Sequence, residues 1–451
     1  MTQWQKVKVG DFLTQRKERI VIDSNIEYSL VTISNKGVIK LREKKKGAVI
    51  SAKTGYIAKT GDFIYSRLSV HTGAFGIVPI ELNNALITNE MPCFEINKSK
   101  IFPTILIKMI GLPNFIWQLN QLTQGVGRVR IKESMMLSLS LMLPSIKEQK
   151  IIVKKLKDIE TEESDLKQEI TQQQILLKKL RQQILQEAIE GKLTQDWRVK
   201  NPNTEPASEL LKRIQAEKQQ LIKDKKIKAQ KPLSVITEDE KLFKLPKSWV
   251  WCQVNDIANI GTGATPLTSE PSYYGGEFNW MTSGDTGYDY VTHTKLTISK
   301  KAIQETNCKI YPTKTLVVAM YGQGKTRGQV TELKIDTATN QACVAIQIYI
   351  FSVEANQFLK THFKKIYNEI RKLAQGGAQP NLNMGKIKAN VVALPPLLEQ
   401  KSIVAKVEKL LSICDKLQTQ ITANQTHAEQ LMQAVLKEAF TQSEQPIKLT
   451  V

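Results

Sequence analysis

The stretch Leu143-Pro-Ser-Ile-Lys-Glu-Gln-Lys150 returns further along the chain as Leu394-Pro-Pro-Leu-Leu-Glu-Gln-Lys401, its proline displaced by 251 residues (395 − 144). Downstream the spacing holds. Leu180-Arg-Gln-Gln-Ile-Leu-Gln-Glu-Ala188 matches Leu431-Met-Gln-Ala-Val-Leu-Lys-Glu-Ala439, and 431 − 180 is again 251. A segment that drifts in sequence but never in length behaves as a rod, because loops tolerate insertion.

Heptad spacing supports this. Steps of four and three pass through Ile152, Leu156, Ile159, Glu163, Leu166, Ile170, Gln173, Leu177, Leu180 and Ile184 in the first copy. The same steps in the second copy give Ile403, Val407, Leu410, Cys414, Leu417, Ile421, Asn424, Ala428, Leu431 and Val435. The pattern predicts two coiled-coil helices, with Gln173 and Asn424 at equivalent polar positions that would fix register. From Ile152 to Ile184 such a helix runs roughly 50 Å at about 1.5 Å per residue.

Weaker repetition extends upstream. Leu122-Thr-Gln-Gly125 matches Leu373-Ala-Gln-Gly376, and Thr88-Asn89 matches Thr339-Asn340, both displaced by 251; Trp4 parallels Trp249, displaced by 245. The order is therefore domain, helix, linker, domain, helix. The expected divisions are 1–142, rod 143–190, linker 191–247 with a short helix from Pro206 to about Lys226, 248–393, rod 394–443 and tail 444–451. Both domains read as mixed α/β. The first has strands at Tyr28–Ile33 and Asp62–Tyr65 and a helical stretch over about Phe102–Leu122. The second has strands at Leu316–Ala319 and Cys343–Ile348 and a helix over Ala355–Leu373. Related halves in one chain predict a pseudo-two-fold repeat with the two helices antiparallel.

With 64 Lys and Arg against 43 Asp and Glu, the formal net charge is +21, which favours a polyanionic partner. Both domains share the excess: 20 basic and 10 acidic side chains over 1–145, and 15 and 10 over 248–395. Phosphate tracking requires such a balance. No apolar run reaches membrane-spanning length and no leader or lipidation motif stands at the start, so the expectation is a cytoplasmic chain away from membranes. The five cysteines are scattered without metal-ligand spacing and are expected to be buried thiols.

Three stretches resemble catalytic motifs without completing them. Ala319-Met-Tyr-Gly-Gln-Gly-Lys-Thr326 lacks the first glycine of a phosphate-binding loop. Glu332-Leu-Lys334 lacks the preceding Pro-Asp of a nuclease centre and reads as an exposed strand. Asn201-Pro-Asn203 fails at the third residue of an amino-methyltransferase tetrapeptide. A chain without catalysis of its own is expected.

Together with Glu187-Ala-Ile-Glu-Gly-Lys-Leu-Thr194, Glu209-Leu-Leu-Lys-Arg-Ile214, Leu245-Pro-x-x-Trp249 and Gly263-Ala-Thr-Pro266…Tyr274-Gly-Gly276…Trp280-Met-Thr-Ser-Gly-Asp285, these repeats resemble the specificity subunits of type I restriction–modification systems along essentially the whole chain. The first domain lacks the Gly-x-x-Pro…Trp pattern. The resemblance implies two target-recognition domains, each reading half of a split, asymmetric site in double-stranded DNA. It implies rods that set the spacer and dock two methyltransferase (M) subunits, with motor–nuclease (R) subunits added for cleavage. S-adenosylmethionine, ATP and Mg would be used by those partners, and this chain would hold no cofactor or metal. An orphan or phage-borne subunit that redirects a host's methyltransferase would carry the same marks.

Base edges are read by polar side chains on loops facing a groove. The candidates are Lys46, Arg67, His71, Thr72, Arg128, Arg130 and Lys132 in the first domain, and Ser283, Asp285, Gln323, Lys325, Thr326, Arg327, Gln375, Gln379 and Asn381 in the second. Tyr273, Tyr274 and Trp280 suit loop packing and DNA contact equally.

Overall fold

The computed structural model describes residues 4–122, 130–322, 325–373 and 382–440. The chain divides into two compact units, residues 1–170 with 423–451, and residues 171–422. Two helices of 44 residues each, Ile146–Ile189 and Leu397–Phe440, contribute to both. At 1.5 Å per residue each is about 66 Å long.

In the first unit a four-stranded antiparallel sheet takes the order Leu13–Gln15, Cys93–Ile96, Phe63–Tyr65, Phe75–Ile77. Phe63, Tyr65, Phe75 and Phe94 meet on it with ring centroids 6.0–6.3 Å apart. A second sheet takes the order Arg19–Val21, Thr54–Ala58, Ala85–Ile87, Glu27–Ile33, Ile39–Lys46, with one parallel pairing at Leu30 and Leu86. Strands Gln5–Lys8 and Ser140–Leu143 close the domain as a separate antiparallel pair.

The second unit repeats this topology without repeating its residues. Ala258–Thr262, Cys343–Ile348, Leu316–Ala319 and Val330–Leu333 form the same antiparallel order, extended by Tyr290–Val291. Leu296–Ile298, Tyr274–Met281, Thr337–Thr339 and Ile310–Tyr311 form the second sheet. Its parallel pairing, Trp280 with Ala338, stands where Leu30 with Leu86 stands in the first unit. Val250–Gln253 and Val391–Leu394 close this domain, pairing Val250 with Leu394 as Gln5 pairs with Leu143. The fold is mixed α/β built twice.

The repeated Glu-Gln has a local cause. Gln149 is fully buried; its amide donates to the carbonyls of Lys100 and Pro144, and it accepts from the Phe102 amide. Gln400 is buried and donates to the Pro395 carbonyl. A buried amide must satisfy its donors, and Gln149 thereby ties the first turn of its rod to the preceding domain, whereas Gln400 Nε2 bonds within its own helix start and its Oε1 is a buried atom without a partner.

One expectation is refined and one needs correction. The helical stretch expected over about Phe102–Leu122 is two helices, Pro103–Ile110 and Pro113–Leu122. Pro113 cannot continue a helix but suits the first turn of a new one. Glu332 does not lie on an exposed strand. It is 3% exposed and accepts from Lys334 Nζ at 2.6 Å and Gln357 Nε2 at 2.5 Å, which offset its burial. The remaining elements agree to within a few residues, with strands at Glu27–Ile33, Phe63–Tyr65, Leu316–Ala319 and Cys343–Ile348 and helices at Ala207–Lys223 and Val353–Leu373. All five cysteines are buried and free.

Candidate nucleic-acid interface

Equivalent hairpins carry candidates in both domains. Residues 66–74 join strands Phe63–Tyr65 and Phe75–Ile77, and residues 320–329 join Leu316–Ala319 and Val330–Leu333. Each loop returns through a left-handed glycine, Gly73 (φ 99°) and Gly328 (φ 83°). His71 and Thr72 precede the first glycine, and Lys325, Thr326 and Arg327 precede the second.

In the first domain this hairpin abuts the segment 130–133. The Arg67 carbonyl accepts from the Ile131 amide at 3.0 Å, and the Tyr65 hydroxyl donates to the Ile131 carbonyl at 3.2 Å. Arg67 pairs with Glu133 at 2.5 Å, and Gln15 donates to the same oxygen. Arg130 grips both oxygens of Glu90 at 3.0 and 3.2 Å, and the Glu90 carbonyl accepts from the Arg67 amide. Two guanidinium groups are thus set by two carboxylates that nothing in their sequence context marks out. Lys132 is exposed beside them. His71 Nδ1 and Arg67 Nε are buried atoms without a hydrogen-bond partner, and Thr72 spends its hydroxyl on the Ser69 carbonyl. Arg128 lies outside the described residues.

Lys46 is not part of this group. It ends the edge strand Ile39–Lys46, whose turn, at Asn35–Gly37, packs near Gly73 and Gly76. Lys46 stands seven positions from Ile39, a run of about 23 Å along a strand. That edge strand carries Lys40, Arg42, Lys44, Lys45 and Lys46, a basic rim in itself and a guard against edge pairing.

In the second domain Lys325 is exposed, and Tyr367 donates to its carbonyl at 2.5 Å. Thr326 and Arg327 are half-buried, and Arg327 Nε is a buried donor without a partner. Asp285 is committed elsewhere. Its carboxylate accepts from the Thr282 amide at 2.8 Å and hydroxyl at 3.1 Å, capping its own turn, while Ser283 offers its carbonyl to Thr286. Gln323, Gln375, Gln379 and Asn381 lie outside the described residues. Trp280, Tyr274 and Tyr273 donate to the Ala264 carbonyl, the Pro266 carbonyl and Glu305, which is loop packing.

Beside Lys325 opens a cleft of about 230 Å³ lined by Tyr288, Asp289, Gln329, Lys364 and Tyr367. None of these five was a candidate. Burial opposes ionisation of Asp289, yet the hydrogen bond and charge of Lys364, 2.7 Å away, hold its carboxyl below the usual range. Only the spacing Lys360-x-x-x-Lys364, one face of a helix, could have flagged the lysine from sequence.

The rods divide their heptads unevenly. Leu156, Ile170, Leu177, Ile184, Ile403, Val407 and Ile421 are buried with Cys414, and Ile152, Ile159, Leu410 and Val435 are half-buried. Leu166, Leu180, Leu417 and Leu431 are 38–64% exposed. Within the second unit the helices are antiparallel: Arg181 pairs with Asp415 at 2.6 Å, and beyond the helix end the Leu193 carbonyl accepts from Lys406. Among the described residues no cluster of three or more His, Cys, Asp or Glu could hold a metal, and no helix is long and apolar enough to cross a membrane.

The model of the type I restriction modification DNA specificity domain matches residues 1–175 and again 246–424. The EcoAI specificity subunit of Escherichia coli is 32% identical over 55% of this chain and 42% of its own length. The EcoEI specificity subunit of the same species is 30% identical over 54% and 42%. The matched part thus spans less than half the length of these curated relatives. Among solved structures, the HsdS subunit of Thermoanaerobacter tengcongensis superposes with a TM-score of 0.54 at 16% identity, covering 97% of this chain and 96% of that one. A chain solved for the structural basis of complex assembly and conformational transition of the type I R-M system gives 0.64 at 16%, covering 98% of each. At that identity the likeness is one of fold.

Proposed function

Because the chain belongs to the type I restriction modification DNA specificity family, we propose that it is the sequence-reading subunit of such a complex. Domains 1–142 and 248–393 each read one half of a bipartite, asymmetric site in double-stranded DNA. Rods 143–190 and 394–443 set the distance between halves, and 191–247 and 444–451 serve as linker and tail. The chain works in the cytoplasm, without catalysis of its own. Two methyltransferase subunits using S-adenosylmethionine, and motor–nuclease subunits using ATP and Mg, act where it directs them.

The carrying observation is the equivalent hairpin on two domains of one topology. Each hairpin holds basic side chains and a buried polar atom with no protein partner, His71 Nδ1 in one and Arg327 Nε in the other. A buried donor or acceptor left unmade costs about 1–3 kcal/mol, which a base edge or phosphate in the groove would recover. In this reading Arg67, Arg130, Lys132, Lys325, Thr326 and Arg327 face DNA, and Lys46 acts with the basic edge strand on the backbone. Asp285 and Ser283 shape their loop. The exposed leucines at 166, 180, 417 and 431 suit docking of the methyltransferase subunits, since the rods leave them uncovered.

Co-expression with the methyltransferase subunits of the same system, followed by sequencing for modified bases, tests this. A split motif with a fixed spacer is the expected result. A continuous palindrome overturns it.

A further inference from the structure

Glu399, in the first turn of the helix Leu397–Phe440, is 0% exposed. Trp249 Nε1 donates to its Oε2 at 2.8 Å; the Thr194 hydroxyl and the Arg198 guanidinium reach its Oε1 at 2.6 and 2.5 Å. These donors come from separate places: Thr194 and Arg198 from the turns that follow the first rod helix, Trp249 from the entrance to the second recognition domain. The Trp249 ring meets Phe358 edge-on at 6.4 Å, which joins it to the helix Val353–Leu373 of that domain. Two turns further on, Lys406 Nζ donates to the Leu193 carbonyl and to Asp196, both at 2.7 Å. The counterpart of Glu399 in the first rod, Glu148, is half-buried and bonds the amide and hydroxyl of Ser145 at its own helix start. The knot is therefore not what the Glu-Gln repeat alone dictates.

We infer that Glu399 and Arg198 are positioning residues for DNA specificity, holding the start of the second rod, and with it the second recognition domain hooked on by Trp249, in one setting against the turns that end the first rod and so fixing the length of the spacer. The inference rests on the proposed reading of a split site. Changing the spacer by one base pair displaces a half-site by about 3.4 Å along the duplex and turns it by roughly a tenth of a revolution. Hydrogen bonds of 2.5–2.8 Å are lost once stretched past about 3.5 Å. To follow a wrong spacer, the reader must shed the Trp249 bond to Glu399, or the start of the second rod must slide against the turns after the first and break the bonds from Thr194 and Arg198. Breaking them strands a buried carboxylate, which is strongly opposed.

The experiment compares the native chain, Glu399→Gln, and the double variant Arg198→Met/Glu399→Gln, each assembled with the methyltransferase subunits. Methylation rates are read on duplexes carrying the native spacer and spacers one base pair longer and shorter. Removing both charges leaves no buried ion unpaired, so the double variant keeps the fold while losing the constraint. Both half-site sequences should stay unchanged while discrimination between spacers narrows about tenfold. Thr194→Val, which removes a single hydrogen bond, should narrow it about threefold and serves if the charged pair proves indispensable for folding. Native discrimination in the folded variants overturns the inference, as does methylation lost equally at all spacers. Absence of any split motif with the native chain instead defeats the reading on which it rests.

Discussion

Lys360 should couple the stability of the second recognition domain to pH above neutrality. Its side chain sits on the helix Val353–Leu373, 2% exposed, donating to the Asp289 carbonyl at 2.5 Å and lying 4.0 Å from the Tyr290 ring centre. Burial first, and the charges of Lys364 and Lys334 after it, bring its pKa down to about 8, against the pull of Asp289 and Glu332. An unfolded chain keeps a lysine near 10.5. Between those values the unfolded state holds a proton that the folded state lacks. Stability from this group is therefore complete above about 10.5 and falls as pH drops towards 8. The full difference corresponds to about 3 kcal/mol at 1.36 kcal/mol per tenfold, of which about 2 falls between pH 10 and 7.5. Lys360→Met retains the packed stem and has no proton to exchange. Urea unfolding followed by tryptophan fluorescence should show the native chain gaining about 2 kcal/mol on the variant between pH 7.5 and pH 10. Subtracting the two curves removes every other titrating group common to both. Parallel curves across that range would refute the reasoning, because the lysine would then be as well solvated folded as unfolded.

Replacing Lys44, Lys45 and Lys46 with serine should weaken binding of the assembled complex to all duplexes alike. The slope of log affinity against log salt should then fall by about 0.9 for each phosphate no longer neutralised, and an unchanged slope removes the edge strand from the interface. Arg130→Ala should relax base preference in one half-site by about 1–3 kcal/mol, and Arg327→Ala should do so in the other; changes in both halves from either variant would refute the division of labour. A Cβ on Gly263 would stand 1.6 Å from the Thr339 carbonyl oxygen, so Gly263→Ala should lower the melting temperature markedly, at a cost of about 3 kcal/mol. Ile184→Ala should destabilise the chain by about 2–4 kcal/mol. By contrast, Leu180→Glu should leave stability within about 0.5 kcal/mol and weaken capture of the methyltransferase subunit in a pull-down.

The rods could be read from sequence because their constraint is periodic and local. Which heptad positions are buried could not, since that depends on what packs alongside. Spacing places Leu180 and Ile184 on the same seam, yet one is 44% exposed and the other 5%. The motif glycines were legible as marks before they were legible as physics. Gly263 belongs to the Gly-Ala-Thr-Pro stretch that carried the resemblance, and its reason is a neighbouring backbone that leaves no room for a side chain. That neighbour, Thr339, lies 76 positions away (339 − 263). No local reading reaches so far.

The candidate interface was partly legible for a different reason. Basic residues near glycines mark where a loop approaches a polyanion, and that rule reaches Arg67, His71, Lys325 and Arg327, which the fold places on equivalent hairpins. What the rule misses is what sets those cations in place. Glu90 and Glu133 look like dilution of a positive surface, but each fixes a guanidinium, which in the proposed reading leaves fewer orientations to be lost on meeting a base. Asp285 suits a base reader by type, since a carboxylate can accept from cytosine, and it closes its own turn instead. Carboxylates in a basic domain are therefore informative through their partners. Sequence shows the charge; only the fold shows whether the charge faces a guanidinium, an amide or the groove. In the proposed reading, specificity follows from that allocation: the paired arginines supply direction, the unpaired buried atoms supply demand, and the rods supply the distance at which both halves must be satisfied together.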